Sequence, residues 1–576
     1  MSNPFPFSLL LLAALFAGGC QGLPKKPSTP APTHAAAQAL PFQSRAKPPK
    51  EMDPDLVFDY LAGEIGAQQG VTSTAYRHLV RAARRAKDPV AAAQAAQLAL
   101  RMNDAAKAAQ AADLWVAYAP NSIQARELRM ILALRSGEMN LALRQADAVL
   151  RIARALGKDG FLQLATALAA VKRDDKIQLM EKLAKAHPKE ARAHYALALV
   201  ASQRKRFALA ERALDEASRL APRWHEPYLL RARLLELQGK ADEAEKSLRQ
   251  ALDAHPDATL FQALGEMLTR RKRYPEALEA FQQALKRQPK NTALLSTVGL
   301  LAVQTKQWDL ARRTWQRLAR DGTPEQRQDA WYFLGQVEEL DGHPEKAIEY
   351  YKKVKEGRLL ADARLRLAIL EGRRGNLDEA ARLFREIRLT NPRQAVQVYV
   401  TEAQLYKKQG HPERAMKVYD EAVAANPGNA DLLYARGLLA ADLGRVAQAE
   451  RDLRAVLKLH PGDADALNAL GYTLAEQTNR LKEAYGYISQ ALKKLPNSAA
   501  VLDSMGWVLY RMGRKEEALK YLEKAAAKLD DGEIAAHLGE VLWSLDRKEE
   551  ARRVWRDALR FAPDNAKLKR AIERHR

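Results

Sequence analysis

The chain has 576 residues, a formal net charge of +23 and a single cysteine, Cys20. It is too long for one hydrophobic core, and a lone thiol excludes a disulfide framework or a multi-cysteine metal cluster. The charge is dispersed, with five basic residues in the first fifty and runs such as "RKR" at 204–206 and "RRKR" at 270–273 near predicted turns. That dispersal argues against nucleic acid as a partner, and leaves as readings of the basic runs either solvated turns or attraction to an anionic polymer, lipid headgroups or an acidic protein.

The first element is "FSLLLLAALFAG", an apolar run too short to span about 30 Å of hydrocarbon and ending in small residues. Residues 1–19 therefore read as a secretory signal peptide. Ala17, Gly18 and Gly19 stand directly before Cys20, an arrangement that resembles the bacterial lipobox, in which the cysteine is acylated and becomes the new N-terminus. The resemblance implies that Cys20 is the lipidation site. Gln21 is not the Asp that resembles an inner-membrane retention signal, so the expected location is the outer membrane, facing the periplasm. Residues 20–52 hold the cysteine and a tether: seven of the thirty-two residues after Cys20 are proline and no hydrophobic period survives. Fully extended, such a segment reaches at most ~100 Å.

The rest is an internal repeat. A small residue in a first helix, a turn and then an alanine in a second helix recur, with the alanine at 210, 244, 277, 311, 347, 380, 415, 449, 484, 518 and 551. Proline closes many units, at 222, 256, 289, 392, 427, 461, 496 and 563. Each unit reads as two amphipathic helices joined by a tight turn, and mid-helix glycines such as Gly265, Gly506 and Gly539 mark close backbone approach. This pattern resembles the tetratricopeptide repeat, which implies an all-α fold, a right-handed superhelical solenoid of helical hairpins. About eleven repeats fit residues 191–563. The same ruler run backward gives weaker matches at Ala75, Ala108, Ala142 and Lys176, read as degenerate hairpins over residues 53–190. At the far end, residues 564–576 place Leu568, Ala571 and Ile572 on one face of a charged helix, the expected C-terminal capping helix.

Catalytic motifs are absent from the sequence: there is no HExxH, GxSxG or phosphate loop. His187, His255 and His460 each precede a helix-ending proline, and His343 and His411 follow a turn glycine, so they read as turn and capping residues rather than metal ligands. No enzyme, metal site or cofactor is expected.

By resemblance to the family, the concave face is lined by the second, fifth, ninth and twelfth positions of each unit. Here these include Tyr195, Tyr332, Tyr434, Asn468, Tyr472, Asp503, Trp507, Tyr510 and Trp543, the expected client groove, with a packing role for Trp507 and Trp543 left open. In the first predicted helix, Phe58, Leu61, Ala62 and Ile65 form an apolar stripe that Leu56, Val57 and Tyr60 widen. Part of that surface is expected to pack on the next hairpin. The set Leu56, Val57, Phe58, Tyr60 and Leu61 is the expected partner-docking surface.

Residues 467–525, with the lipobox and tether, resemble the long tetratricopeptide lipoproteins of Gram-negative bacteria. The resemblance implies an outer-membrane adaptor that binds a periplasmic carboxyl-terminal processing protease and presents peptidoglycan hydrolases to it as clients. The other class it leaves open is an assembly lipoprotein that pilots an outer-membrane machine, such as a pilus secretin or a polysaccharide exporter.

Overall fold

The computed structural model describes residues 53–171 and 173–575. The signal peptide, Cys20 and the tether lie outside the described residues. Among the described residues the chain is all-helical, with 31 α-helices from Pro54–Gln68 to Ala566–Arg574. None is long and apolar enough to cross a membrane.

Two compact units divide the chain, Met1–Gln307 and Trp308–Arg576. In each, successive helices form antiparallel hairpins whose starts follow from the sequence. Asp257, Asp463 and Asp531 accept hydrogen bonds from backbone N–H groups of the first helical turn, relieving donors that the helix leaves unpaired. Many helices stop in a left-handed residue. Gly239, Gly342, Gly375, Gly410, Gly444 and Gly513 hold that conformation, whereas Lys205, Lys272, Lys306 and Asp546 adopt it without the freedom glycine has.

The hairpins are held by small residues. All eleven second-helix alanines, from Ala210 to Ala551, have no solvent exposure, as do Ala75, Ala108 and Ala142. The fifteenth position of that series is Lys176, also buried, whose Nζ donates to Gln203 Oε1 at 2.8 Å and to the Leu168 carbonyl at 3.3 Å. Burial, reinforced by nearby Arg204, holds its pKa below the ordinary lysine value. Facing the alanines are close approaches that need glycine: a Cβ on Gly506 would stand 2.5 Å from Leu522 Cγ, and one on Gly539 would stand 2.0 Å from Trp555 Nε1.

The basic runs are paired. Arg271 and Arg273 both meet Glu245 at 2.6 Å, Arg270 meets Glu236 at 2.6 Å, and Arg204 and Arg206 share Asp174 at 2.7 and 2.8 Å. These pairs reach neighbouring units, while the runs themselves lie at turns and stay solvent-exposed, Arg206 and Arg270 by more than half. Each exposed pair contributes little to stability, about 0–1 kcal/mol.

The first helix, Pro54–Gln68, differs from the sequence expectation. Phe58, Leu61 and Ile65 are 62, 56 and 50% exposed, so the stripe faces solvent rather than the second hairpin. Leu56 and Tyr60 instead pack inward with Tyr76 and Leu79, and the Tyr60 hydroxyl donates to Asp88. They are packing residues rather than part of an open docking surface. The turned-in face also carries Asp59, buried against His78 Nδ1 at 2.8 Å and Arg81 at 3.1 Å. That ion pair, with the close fit of Gly63 on Leu79, decides which side of the helix is inside.

Candidate binding groove

In the second unit, four helices bring a set of polar and aromatic side chains to one place. Ala464–Gln477 supplies Asn468, Tyr472 and Glu476, Ala499–Arg511 supplies Asp503 and Trp507, and Gly532–Ser544 supplies Glu533 and His537. The terminal helix, Ala566–Arg574, supplies Lys567.

His537 is the hub. Its Nδ1 lies 2.9 and 3.0 Å from the two oxygens of Asp503, and its Nε2 lies 3.4 Å from the Tyr472 hydroxyl. Trp507 stacks on the imidazole with centroids 4.0 Å apart and donates its indole N–H to Glu476 at 2.6 Å. The Tyr472 hydroxyl donates to Glu533 and accepts from Lys567 Nζ at 2.6 Å. Lys567 also pairs with Glu533 and sits over the Tyr472 ring, 4.9 Å from its centroid. Burial opposes charge on His537, but the Asp503 carboxylate overcomes it and raises the imidazole pKa above its ordinary value. Burial likewise raises the Tyr472 hydroxyl, with Glu533 adding to the effect. Glu533 is pushed up by burial but pulled further down by Lys567 and the Tyr472 hydroxyl, so its pKa falls below the ordinary carboxyl value. Both ring nitrogens of His537 have partners, which leaves no free nitrogen for general-base work. Among the described residues no group of three or more His, Cys, Asp or Glu side chains is arranged to hold a metal ion.

Beside this network opens a pocket of about 290 Å³, lined in part by Tyr434, Asn468, Tyr472, Asp503 and Glu533. Four of the nine residues expected in the groove thus share one cavity wall. The others do not. Trp507, only 9% exposed, is buried behind the wall, and Tyr510 packs on it with centroids 5.3 Å apart. Tyr332 is buried against Phe333 and Tyr351 in the same unit but away from the pocket. Trp543 is half-buried beside Trp555 and His575 and carries Lys548 and Arg552 over its ring. Tyr195, in the first unit, packs edge-on to Trp224, and burial, helped by Glu226 and Asp159, pushes its pKa up to about 12. Trp507 and Tyr332 therefore serve packing, Trp507 against His537 of the next first helix and Tyr332 against Tyr351 of its own hairpin's second helix. A larger open cavity of about 590 Å³ in the first unit, lined in part by Arg151, Lys158 and Phe161, contains none of the expected groove residues; two ion pairs stand in its wall, Arg192 with Asp159 at 2.9 Å and Arg154 with Glu190 at 3.5 Å.

The hub itself is absent from the sequence expectation. His537 lies 34 residues after Asp503, one more than the 33 that separate Gly506 from Gly539 and Ala518 from Ala551, so the pair does not fall on equivalent repeat positions and the repeat alignment carries no signal for it.

Comparison with known proteins agrees with the repeat pattern of the sequence. The tetratricopeptide repeat family model matches residues 229–292, 299–359, 400–452, 434–499 and 504–566. A TPR repeat-containing protein of Pseudomonas aeruginosa, PA4667, is 32% identical over 543 residues, spanning 92% of this chain and 90% of that one. Among solved structures, a tetratricopeptide repeat protein from Parabacteroides merdae is 25% identical, covering 43% of this chain and 98% of that one, with a TM-score of 0.29. The Pseudomonas aeruginosa pilF structure is 18% identical, covering 38% of this chain and 97% of that one, also with a TM-score of 0.29. Repeat spacing, buried alanines, a family match over half the chain and a homologue along nearly all of it place this protein in the tetratricopeptide repeat family.

Proposed function

We propose that this chain is a non-enzymatic scaffold, held at the outer membrane through lipid on Cys20 and facing the periplasm, that joins a carboxyl-terminal processing protease to peptidoglycan hydrolases presented as its clients. This is the role implied by its resemblance to the adaptor lipoprotein LbcA. The observation that carries the reading is the first helix. Phe58, Leu61 and Ile65 form an apolar row open to solvent at the end of an array, where an end unit that merely caps would carry a polar outer face. Val57 extends the row at its edge. The protease docks there, and clients lie along the concave face of the second unit, where Tyr434, Asn468 and Tyr472 border an open pocket.

Capture from detergent-solubilised envelope, comparing the wild-type chain with Phe58→Asp/Leu61→Asp, tests the reading. Both positions are more than half exposed, so the double variant keeps its fold. Recovery of a processing protease and cell-wall hydrolases with the wild type, and loss of the protease alone with the variant, is the expected result. Secretin or exporter subunits in place of the protease make the chain an assembly lipoprotein instead.

A further inference from the structure

The pocket beside the His537 network has a one-sided chemistry. Asp503, Asp531 and Glu533 line it, and Asn468 Oδ1, also shielded from solvent, has no hydrogen-bond partner. The cations of the network stand behind these acceptors: His537 holds Asp503 and Lys567 holds Glu533, yet neither His537 nor Lys567 lines the cavity. The carboxylates are therefore fixed in place while lone pairs remain for a further donor. The wall above them is aromatic, from Tyr434 and Tyr472, and the rim is apolar, from Leu438 and Leu529, both exposed.

An apolar rim over a floor that carries three carboxylates is complementary to one kind of side chain, an aliphatic stem ending in a cationic, donor-only head. A carboxylate ligand would meet three carboxylates. A leucine would cover the rim but give Asn468 Oδ1 no donor and the carboxylates no further counter-charge. The volume, about 290 Å³, admits a single side chain and not a folded element.

We infer that this pocket is a subsite for a basic side chain, arginine ahead of lysine, borne by an extended client segment. Arginine leads because its planar fork satisfies two acceptors at once, and its guanidinium also stacks on tyrosine. The inference rests on the concave face being the client groove.

The test uses the purified full chain on an array of fifteen-residue Gly/Ser/Ala peptides whose central residues are Arg, Lys, Gln, Glu or Leu. Retention is expected to be at least fivefold greater for Arg than for Gln, Leu or Glu, with Lys between. Asn468→Lys places the chain's own ammonium in the cavity and abolishes the preference, whereas Asn468→Asp increases Arg retention several-fold. Leu529 is 51% exposed at the rim, so Leu529→Glu and Leu529→Lys repeat the test without disturbing the core: the first strengthens and the second weakens Arg retention. Equal retention of all peptides, or a preference for Glu or Leu, overturns the inference. If peptides bind without preference and Asn468→Lys blocks them, the groove stands and the basic subsite falls. If the wild type retains no peptide at all, both fall.

Discussion

Replacing Gly539 with alanine adds one methyl group to a helix, and the structure sets both the sign and the size of the effect. The new Cβ would stand 2.0 Å from Trp555 Nε1 and 2.3 Å from Cε2. Ordinary contact is about 3.5 Å, so the indole must retreat by more than 1 Å, roughly the difference between the two. It has nowhere to go easily. Trp555 is buried, lies parallel to His575 with centroids 5.6 Å apart, has Trp543 at 5.9 Å, and points its N–H at the Ala536 carbonyl. Overpacking of this kind costs about 1–3 kcal/mol, and a rigid, boxed ring belongs at the upper end. Alanine returns about 1 kcal/mol of helix propensity, leaving a net loss of about 2 kcal/mol. Gly486, in the helix Leu481–Lys494, is the control, because nothing lies within 4 Å of a Cβ there. Only the propensity remains, and Gly486→Ala is expected to stabilise by about 0.5–1 kcal/mol. Repeat arrays open locally, so the readout is amide hydrogen exchange in Gly532–Ser544 and Leu481–Lys494 alongside urea unfolding. Unchanged protection in Gly539→Ala, or a loss in Gly486→Ala, would refute the packing argument.

Three other outcomes follow from named contacts. His537 has a raised pKa in the folded chain, so its interaction with Asp503 stabilises fully below the unfolded histidine value of about 6.5 and fades as pH rises through the folded value; the stability gap between wild type and His537→Gln is expected to narrow from pH 6 to 9 in urea titrations, and a widening gap contradicts the assignment. Trp507→Ala removes the buried ring stacked on His537 and its hydrogen bond to Glu476, so it should destabilise by about 3–5 kcal/mol; loss of client binding with unchanged melting would return Trp507 to the groove surface. Cys20→Ala should release a folded chain that still binds its partners, and full retention in the outer-membrane fraction after a high-salt wash would mean that lipid is not the anchor.

The repeat was legible because its spacing is dictated by packing: where two helices meet at an alanine there is room for nothing else, and the series from Ala210 to Ala551 is fully buried. Lys176 shows the limit, since the spacing placed it in the slot but not its hydrogen bonds to Gln203 and Leu168. Of the nine residues expected in the groove, Tyr434, Asn468, Tyr472 and Asp503 line one pocket, while which members face a cavity depends on how several repeats stack together. Trp507 turned inward for that reason. In the first helix, 3.6-residue periodicity identified the apolar row, yet both sides of that helix carry apolar residues, and periodicity alone does not say which side packs. Asp59 settles it through His78, a partner 19 residues away.

Lys567 touches Tyr472, 95 positions earlier, across two intervening units. Stability in a repeat array is ordinarily a sum over adjacent neighbours, so a helix at the end peels away first and its departure is felt only next door. Here the last helix is tied to a tyrosine three units back through a lysine, a glutamate and a histidine hub. The C-terminal end is therefore expected to behave as a clasp, in which opening of the last helix is felt beyond its immediate neighbour. A chain truncated before Ala566 would lose more than its final turn, because protection from exchange should fall as far back as Ala464–Gln477.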